Sequence, residues 1–187
     1  MISPARYMPI APLLIVQALL TRAKTIKLPE PEGPRSGVSG QGMELRLLII
    51  GDSAAAGVGV EHQRDALSGR LVDCLAERFR VSWLLEAESG ATTGDTLERL
   101  AGMETRQFDV AITSLGVNDV TGHVGLGKWI GQQRELRAQL KERFGVSLTV
   151  VSSLPPMHSF PALPRPLRNY LGDRATRFDN ELKVGLE

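Results

Sequence analysis

Short apolar runs alternate with amphipathic segments along most of this chain, and this alternation restricts its fold more than any other feature. The runs are mostly apolar, which is typical of strands that are covered on both faces. They predict strands over residues 45–50, 81–86, 108–115 and 146–152. Strands that alternate with helices pack as a parallel sheet between two helical layers. The sequence therefore predicts an α/β fold, a three-layer α/β/α sandwich.

The segments between the apolar runs carry apolar residues at helical spacing. They predict helices over residues 63–79, 95–103 and 128–144, and a last helix that begins near Pro166. One stripe of the third helix is formed by Trp129, Gln133, Leu136, Leu140 and Phe144. Gly145 follows this helix as a left-handed C-cap. The single cysteine, Cys74, is predicted to lie on the buried face of the first helix.

Length and charge limit the number of domains in the chain and the kinds of partner that it can bind. A chain of 187 residues has room for one domain with a real core but is short for two. We predict an N-terminal apolar segment and a linker rich in proline and glycine over residues 1–42, followed by a folded domain over residues 43–187. The formal net charge of +1 provides no broad positive field, which argues against nucleic acid as a partner.

Residues 8–20 form the apolar part of the N-terminal segment. They are too few to cross a bilayer as a helix, which needs about 20 residues. Most of the nearby positive charge follows this stretch, whereas a secretory signal carries its positive charge before it. One interpretation is an interfacial helix that associates with a membrane, and another is a signal anchor or poor signal peptide. A cytoplasmic or membrane-associated location is favoured over secretion.

Three loops follow the first three predicted strands, at the edge of the sheet where parallel α/β folds bind ligands. The loops contain Asp52 and Ser53, then Gly90, then Asn118 and Asp119. A serine nucleophile needs a base, and the tetrahedral intermediate of acyl transfer needs donors for its oxyanion. The backbone N–H groups of Ser53 and Gly90 and the side-chain amide of Asn118 could provide three donors. Asp52 is better explained as an acceptor for backbone N–H groups in the turn.

Three motifs in these loops have the order and spacing of a known family, namely IIGDSAAAGVG, SGATTGDT and GVND. Over residues 45–154 the chain resembles the SGNH, or GDSL-type, hydrolases, which include esterases and lipases. The resemblance implies the SGNH hydrolase fold with its flavodoxin-like parallel sheet. It also implies that Ser53 is the nucleophile and first oxyanion donor, and that Gly90 and Asn118 are the other donors. The expected reaction is hydrolysis of carboxylic esters of acyl or acetyl groups on a small-molecule substrate, with no metal or other cofactor.

The family's fourth motif, Asp-x-x-His, supplies the general base, and this sequence does not contain it. One interpretation is that the chain is incomplete at its C-terminus and lacks a last strand, loop and helix; it would then be a weak or inactive esterase. The other is that His123 or His158 serves as the base. His62 is expected to be a loop residue near the start of the first long helix.

The walls of the substrate site are expected to come from the third loop and from the proline-rich segment over residues 154–166. The residues predicted to contact substrate are Asp52, Asp119, Val117, His123, Met157 and His158, and the apolar wall is predicted from Val117, Val120, Met157, Phe160 and Leu163. Neither the acyl chain length nor the oligomeric state follows from the sequence.

Two other classes of function remain open. A nucleotide-binding loop is disfavoured, because G-x-G-x-x-G would need glycine at position 62, where the chain has histidine. A non-catalytic family member that binds an acyl or glycan ligand is favoured by the missing base.

Overall fold

The computed structural model describes residues 4–186. These residues form two compact units, Leu28–Ser153 and a smaller unit made of residues 4–27 and 154–186. Whether residues 43–187 fold as a domain of their own stays a prediction.

The larger unit is built on one sheet of five strands, in the order β1-β3-β2-β4-β5. The strands are β1 Ser36–Ser39, β2 Met43–Gly51, β3 Phe79–Ala87, β4 Val110–Ser114 and β5 Leu148–Val151. All the pairs among β2, β3, β4 and β5 are parallel. Without β1, the strands lie in the order second, first, third, fourth, which is the order of a flavodoxin-like sheet. The predicted parallel sheet is therefore confirmed.

The edge strand β1 is a feature that the sequence did not predict. Residues 1–42 were expected to be an apolar segment and a linker, but Ser36–Ser39 pairs antiparallel with β3, with Ser36 opposite Leu84 and Ser39 opposite Val81. Four residues without apolar periodicity do not indicate a strand by themselves. They pair because the edge of β3 offers a row of backbone donors and acceptors.

Helices cover both faces of this sheet. They are α2 Ser53–Ala56, α3 Leu67–Ala76, α4 Thr93–Gly102, α5 Val117–Thr121 and α6 Leu126–Phe144. Leu47 and Ile49 of β2 pack with residues of α2 and α3. The alternate residues Leu48 and Ile50 pack with α4 and α6 on the opposite face. Successive side chains of a strand point to opposite faces, so the apolar residues 47–50 of β2 supply both halves of the core.

The predicted stripe of α6 is confirmed, because Trp129, Gln133, Leu136, Leu140 and Phe144 are all buried. Gly145 ends the helix with φ of 66° and donates its N–H to the Leu140 carbonyl. This left-handed cap is the conformation in which glycine costs least.

The first predicted helix is shorter than expected, and its cysteine is not buried. The helix over residues 63–79 is a 3₁₀ turn at Gln63–Asp65 followed by α3, and residue 79 already belongs to β3. Cys74 is exposed, which corrects the prediction. Ser68 and Val72 are the buried residues of α3. Cys74 follows Val72 by two positions, about 200° around the helix, and therefore faces solvent.

The smaller unit contains helix α1, Ala11–Lys24, and helix α7, Leu167–Val184. Gln17 of α1 donates from Nε2 to the Arg165 carbonyl at 2.8 Å and accepts from the Leu167 N–H at 3.1 Å. Tyr7 packs edge-on against Tyr170 with ring centroids 5.2 Å apart. Among residues 4–186, no helix combines the length and the apolar character that crossing a membrane requires.

Candidate active site

Ser53 lies where β2 ends and α2 begins. Asp52 is the N-cap of α2, and its Oδ1 accepts the Ala54 N–H at 3.0 Å. The Asp52 backbone N–H donates to the Ser114 carbonyl at the end of β4, at 3.1 Å. Asp52 thus has the role in the turn that its position suggested, and Ser53 is held at the carboxyl edge of the sheet.

Gly51 makes the tight turn from strand to helix sterically feasible. A Cβ at this position would lie 2.4 Å from the Ala55 Cβ and 2.6 Å from the Ser114 oxygen. Only a residue without a side chain fits between these atoms. The glycine of the first motif therefore has a structural reason: it allows Ser53 to follow the strand directly.

The second loop is bonded to the first by its backbone. The Glu88 N–H donates to the Gly51 carbonyl at 3.2 Å. A turn then closes from the Ala91 N–H to the Glu88 carbonyl at 3.1 Å. Gly90 is the third residue of this turn and has φ of 90°. A Cβ on Gly90 would meet no atom within 4 Å, so the space beside its backbone is open.

Glu30 supports the second loop from the segment that was expected to be a linker. Its Oε1 accepts the Ser89 N–H at 2.8 Å and the Ser89 hydroxyl at 2.9 Å. Its Oε2 accepts from Arg35 at 2.7 Å. Burial alone would raise the pKa of Glu30, but the hydrogen bonds from Ser89 and Arg35 outweigh it and lower the pKa. The carboxylate therefore stays charged and holds the loop that contains Gly90.

The third loop is joined to the second by Asn118. Its side-chain Nδ2 donates to the Ala91 carbonyl at 2.9 Å, one residue after Gly90. A primary amide has two N–H groups, and this bond uses one of them. Gly116, with φ of 132°, is the N-cap of α5 and sets the direction from which Asn118 enters the loop.

Asp119 is fully buried, and its carboxylate accepts hydrogen bonds from Thr93 at the start of α4. Its carboxylate accepts the Thr93 N–H at 3.1 and 3.2 Å and the Thr93 hydroxyl at 3.0 Å. The Thr93 hydroxyl accepts in turn from Trp129 Nε1 at 3.1 Å and from Gln133 Nε2 at 3.2 Å. One sign of this network is present in the sequence, since Gln133 is a polar residue on an otherwise apolar stripe. The contact of Asp119 with substrate stays a prediction.

Both buried carboxyl groups beside these loops have raised pKa values. Burial is the main cause for Asp52, and the nearby charge of Asp119 adds to it. Burial also raises the pKa of Asp119. Hydrogen bonds from Ala54 to Asp52 and from Thr93 to Asp119 counteract part of each shift. Removal from water disfavours the charged form of a carboxyl group, and these N–H donors recover some of the loss.

Comparison with known proteins decides the family. The model of the GDSL-like lipase/acylhydrolase family matches residues 49–183, which is well over half of the chain. The chain belongs to this family. The resemblance seen in the three motifs is therefore confirmed, and by class this GDSL-like protein is a hydrolase that acts on ester bonds.

Solved structures share the fold at low sequence identity. A member of the lipolytic G-D-S-L family from Veillonella parvula is 13% identical with a TM-score of 0.58, over 75% of this chain and 71% of that one. TesA is 20% identical with a TM-score of 0.57, over 74% and 73%. AlinE4, an esterase of the SGNH-hydrolase family, is 20% identical with a TM-score of 0.52, over 75% of both chains. No curated protein shows significant sequence similarity to the chain.

Two of the three histidines of this GDSL-like hydrolase belong to the larger unit. His62 pairs with Glu32 in an isolated bridge just before the 3₁₀ turn, as expected for a loop residue. His123 follows α5, is exposed and has φ of 60°. Within Leu28–Ser153, no side chain is hydrogen-bonded to the Ser53 hydroxyl. The assignment of His123 as the base therefore stays a prediction.

His158 lies in the smaller unit and is paired with a carboxylate. Its Nε2 is 3.1 Å from Asp173 Oδ1. Asp173 Oδ2 also accepts the Tyr7 hydroxyl at 2.5 Å and is bound by Arg6. The spacing of the two residues gave no sign of this pair, because the histidine precedes the aspartate by 15 positions. A catalytic role of His158 stays a prediction.

The predicted apolar wall residues are divided between the two units. Val117 and Val120 belong to α5 of the larger unit, and Val120 is fully buried. Met157, Phe160 and Leu163 belong to the smaller unit, where Met157 and Leu163 are buried. Their contact with a substrate stays a prediction.

Proposed function

We propose that this GDSL-like protein hydrolyses carboxylic esters of acyl or acetyl groups, with Ser53 as the nucleophile. The oxyanion donors in this proposal are the backbone N–H groups of Ser53 and Gly90 and the side-chain amide of Asn118.

The observation that carries the proposal is the set of hydrogen bonds between the three loops. The Glu88 N–H to Gly51 carbonyl bond ties the turn of Gly90 to the residue two before Ser53. The Asn118 to Ala91 bond ties the third loop to the same turn. Donors on three separate loops stabilise one oxyanion only if the loops are fixed relative to one another before the reaction. These backbone and amide bonds support such fixed positions.

In the proposed reaction the Ser53 hydroxyl gives its proton to a general base as its oxygen forms a bond to the acyl carbon of the ester, and the carbonyl electron pair moves onto oxygen. The resulting oxyanion accepts hydrogen bonds from the proposed donors. The electron pair then returns to re-form the carbonyl, the bond to the alcohol oxygen breaks, and the alcohol leaves with the proton that Ser53 gave to the base. Water attacks the acyl-serine in a second step of the same kind and releases the acid.

Two features support Gly90 and Asn118 as donors. The positive φ of Gly90 and the open space beside it leave its backbone accessible to a small ligand. The bond from Asn118 to Ala91 restrains the amide through one N–H and leaves the second for an oxyanion.

The test is hydrolysis of p-nitrophenyl acetate and butyrate by the wild-type chain and by Ser53→Ala. Loss of a serine nucleophile can lower kcat by up to about a millionfold. We expect the variant to fall to the background rate. Ser147→Ala is the matched control, since Ser147 is exposed and precedes β5, at the amino edge of the sheet. Unchanged turnover in Ser53→Ala would contradict the proposal.

A second substitution tests the oxyanion donors separately from the nucleophile. Asn118→Ala is expected to lower kcat by about 10²–10³-fold while KM changes little, because the donor acts mainly on the transition state. Thermal unfolding of the same variant checks that loss of the Ala91 bond has not unfolded the loop. A rise in KM with an unchanged kcat would contradict the proposed role of Asn118 as an oxyanion donor.

The base is tested with single alanine variants of His62, His123 and His158. A fall as large as that of Ser53→Ala in one of them identifies the base. Equal rates in all three would mean that turnover rests on the oxyanion donors and substrate binding alone, which in serine proteases still exceed water by about 10³–10⁴-fold.

One observation favours a second function, binding of an acyl or glycan ligand without turnover. Within Leu28–Ser153 the Ser53 hydroxyl lacks the hydrogen-bonded base that activates serine in hydrolases. If the wild-type chain does not hydrolyse either ester, calorimetric titration with acetate, butyrate and an acetylated sugar tests this function. Saturable binding that Asn118→Ala weakens would support it.

A further inference from the structure

Helix α1 presents an apolar surface to solvent, the reverse of the usual arrangement. The residues on its inner side are Leu14, Gln17, Ala18 and Thr21, of which only Leu14 is fully buried. Gln17 makes hydrogen bonds there to the segment before α7. The large side chains left exposed are Leu13, Ile15, Val16, Leu19 and Leu20, with Ile15 and Leu19 more than 60% exposed.

The exposed residues form one continuous surface along the helix. At about 100° per residue, the five exposed side chains fall within an arc of roughly 160°. Pro12 and Ala23 fall within the same arc and are also exposed. Arg22 and Lys24 lie at its two borders. We call this arc with Arg22 and Lys24 the α1 face. An apolar helix face bordered by cations is typical of helices that lie in the interface of a bilayer.

Two segments of the chain that include helix α1 and the stretch before α7 contain basic residues but no acidic ones, although Arg6 is paired with Asp173 of α7. Residues 1–29 contain Arg6, Arg22, Lys24 and Lys27 but no acidic residue, and residues 154–172 contain Arg165 and Arg168 but again no acidic residue. The rest of the chain has 16 Lys and Arg residues against 21 Asp and Glu residues, so the excess of positive over negative charge lies in these two segments. Apart from residues 28–29, both segments belong to the smaller unit. This charge is complementary to an anionic lipid surface.

A groove at the C-terminal end of α1 extends this surface. It has a volume of about 750 Å³ and is lined by α1 and by residues 161–168 of the same unit. Leu20, Ile26 and Leu163 supply apolar lining, and Lys24 and Arg168 supply positive charge. Ile26 is 81% exposed. The groove thus combines apolar side chains with cations. The apolar side chains suit the acyl chains of an anionic phospholipid, and the cations suit its headgroup.

We propose that the α1 face docks the protein on the surface of an anionic phospholipid bilayer, with α1 lying in the interface and its cations at the headgroups. The proposal does not depend on hydrolysis by Ser53. It is distinct from a membrane-spanning role, for which α1 is too short.

The test is co-sedimentation of the full chain with vesicles of phosphatidylcholine alone and of phosphatidylcholine mixed with phosphatidylglycerol. We expect binding to the mixed vesicles that weakens as salt rises, and far less binding to phosphatidylcholine alone. Equal partition into both kinds of vesicle, or into neither, would overturn the proposal.

Two sets of variants test the cations at or near the α1 face and its apolar side chains. The triple variant R22Q/K24Q/K27Q should lower partition into the mixed vesicles by roughly a hundredfold, because each cation near an anionic surface contributes about fivefold. Its control, K128Q/R134Q/K141Q, removes the same charge from exposed positions of α6 and should lower partition much less. The double variant V16E/L19E should abolish binding, and its control, M43E/L148E, changes exposed apolar residues elsewhere and should retain it. A triple variant that binds no worse than its control would overturn the proposal.

A second copy of the chain is the alternative occupant of the same face. Sedimentation equilibrium of the wild-type chain and V16E/L19E distinguishes it. A dimer that V16E/L19E dissociates, without vesicle binding by the wild-type chain, would assign the face to self-association and overturn the lipid proposal.

Discussion

At the scale of single residues, backbone conformation separates glycines that look alike in sequence. A Cβ would meet nothing within 4 Å at either Gly90 or Gly131. Gly90 nevertheless has φ of 90°, whereas Gly131 lies on the exposed side of α6. Free space alone therefore does not decide what a side chain costs, because a left-handed conformation strains any residue that has a Cβ.

This contrast predicts opposite effects of one substitution. Gly90→Ala should lower the free energy of unfolding by about 1–2 kcal/mol through left-handed strain. Gly131→Ala should raise it by about 0.5–1 kcal/mol, since alanine loses less entropy in a helix. Urea denaturation of both variants measures the difference. A destabilised Gly131→Ala or a neutral Gly90→Ala would contradict this account.

At the scale of elements, one hydroxyl connects three helices of the larger unit. Thr93 begins α4, accepts from Trp129 and Gln133 of α6, and donates to Asp119 of α5. The groups are buried, so water cannot replace a missing partner. The positions of the second and third loops therefore depend on this network as well as on apolar packing.

Thr93→Val keeps the shape of the side chain and removes only the hydroxyl. We expect the free energy of unfolding to fall by about 2–4 kcal/mol, because buried donors and a carboxylate lose a partner. Thr121→Val is the control, since the Thr121 hydroxyl is exposed and donates to the Val117 carbonyl. That variant should stay within about 0.5 kcal/mol of wild type. Equal losses in the two variants, measured by denaturant unfolding, would count against the network.

At the scale of the whole molecule, stability depends on pH through carboxyl groups with opposite shifts. The Arg46 side-chain hydrogen bond, at 2.6 Å for its closer nitrogen, is the main cause that lowers the pKa of Asp109. Burial is the main cause that raises the pKa of Asp52. Asp109 therefore stabilises the fold once ionised, whereas ionisation of Asp52 destabilises it.

The two shifts predict opposite responses to the same loss of charge. An unfolded aspartate has a pKa of about 3.9. Below that value, Asp52 is protonated in both states and does not reduce the free energy of unfolding. The reduction grows as pH rises from about 3.9 through the raised pKa of the folded state. D52N should therefore gain stability relative to wild type over this pH range. Asparagine can still accept the Ala54 N–H, so the N-cap is kept. The contribution of Asp109 is present above about pH 3.9 and is lost as pH falls through its lowered folded pKa. The disadvantage of D109N should therefore shrink in acid.

Urea unfolding midpoints of wild type, D52N and D109N from about pH 3 to pH 8 measure both trends. Each variant removes one negative charge, so a general effect of net charge would move both in the same direction. Parallel pH trends in the two variants would contradict the assigned shifts.

The sequence by itself determined the class of fold and the loops of the candidate site. A strand buried on both faces must be mostly apolar, and a helix on a sheet must repeat its apolar residues every three or four positions. These requirements act on residues that are close in the chain. The sequence alone therefore predicted β2, the stripe of α6 and the cap at Gly145. The position of Ser53 after β2 follows from the same local pattern.

Tertiary structure alone decided the contacts between residues that are distant in sequence. Glu30 reaches Ser89, Thr93 joins Asp119 to α6, and Ser36–Ser39 pairs with β3. The orientation of Cys74 and the exposed face of α1 also depend on which side of each helix finds a packing partner. A contact between distant parts of the chain imposes no periodic pattern on the sequence around either residue. No pattern within one segment could therefore have predicted these contacts.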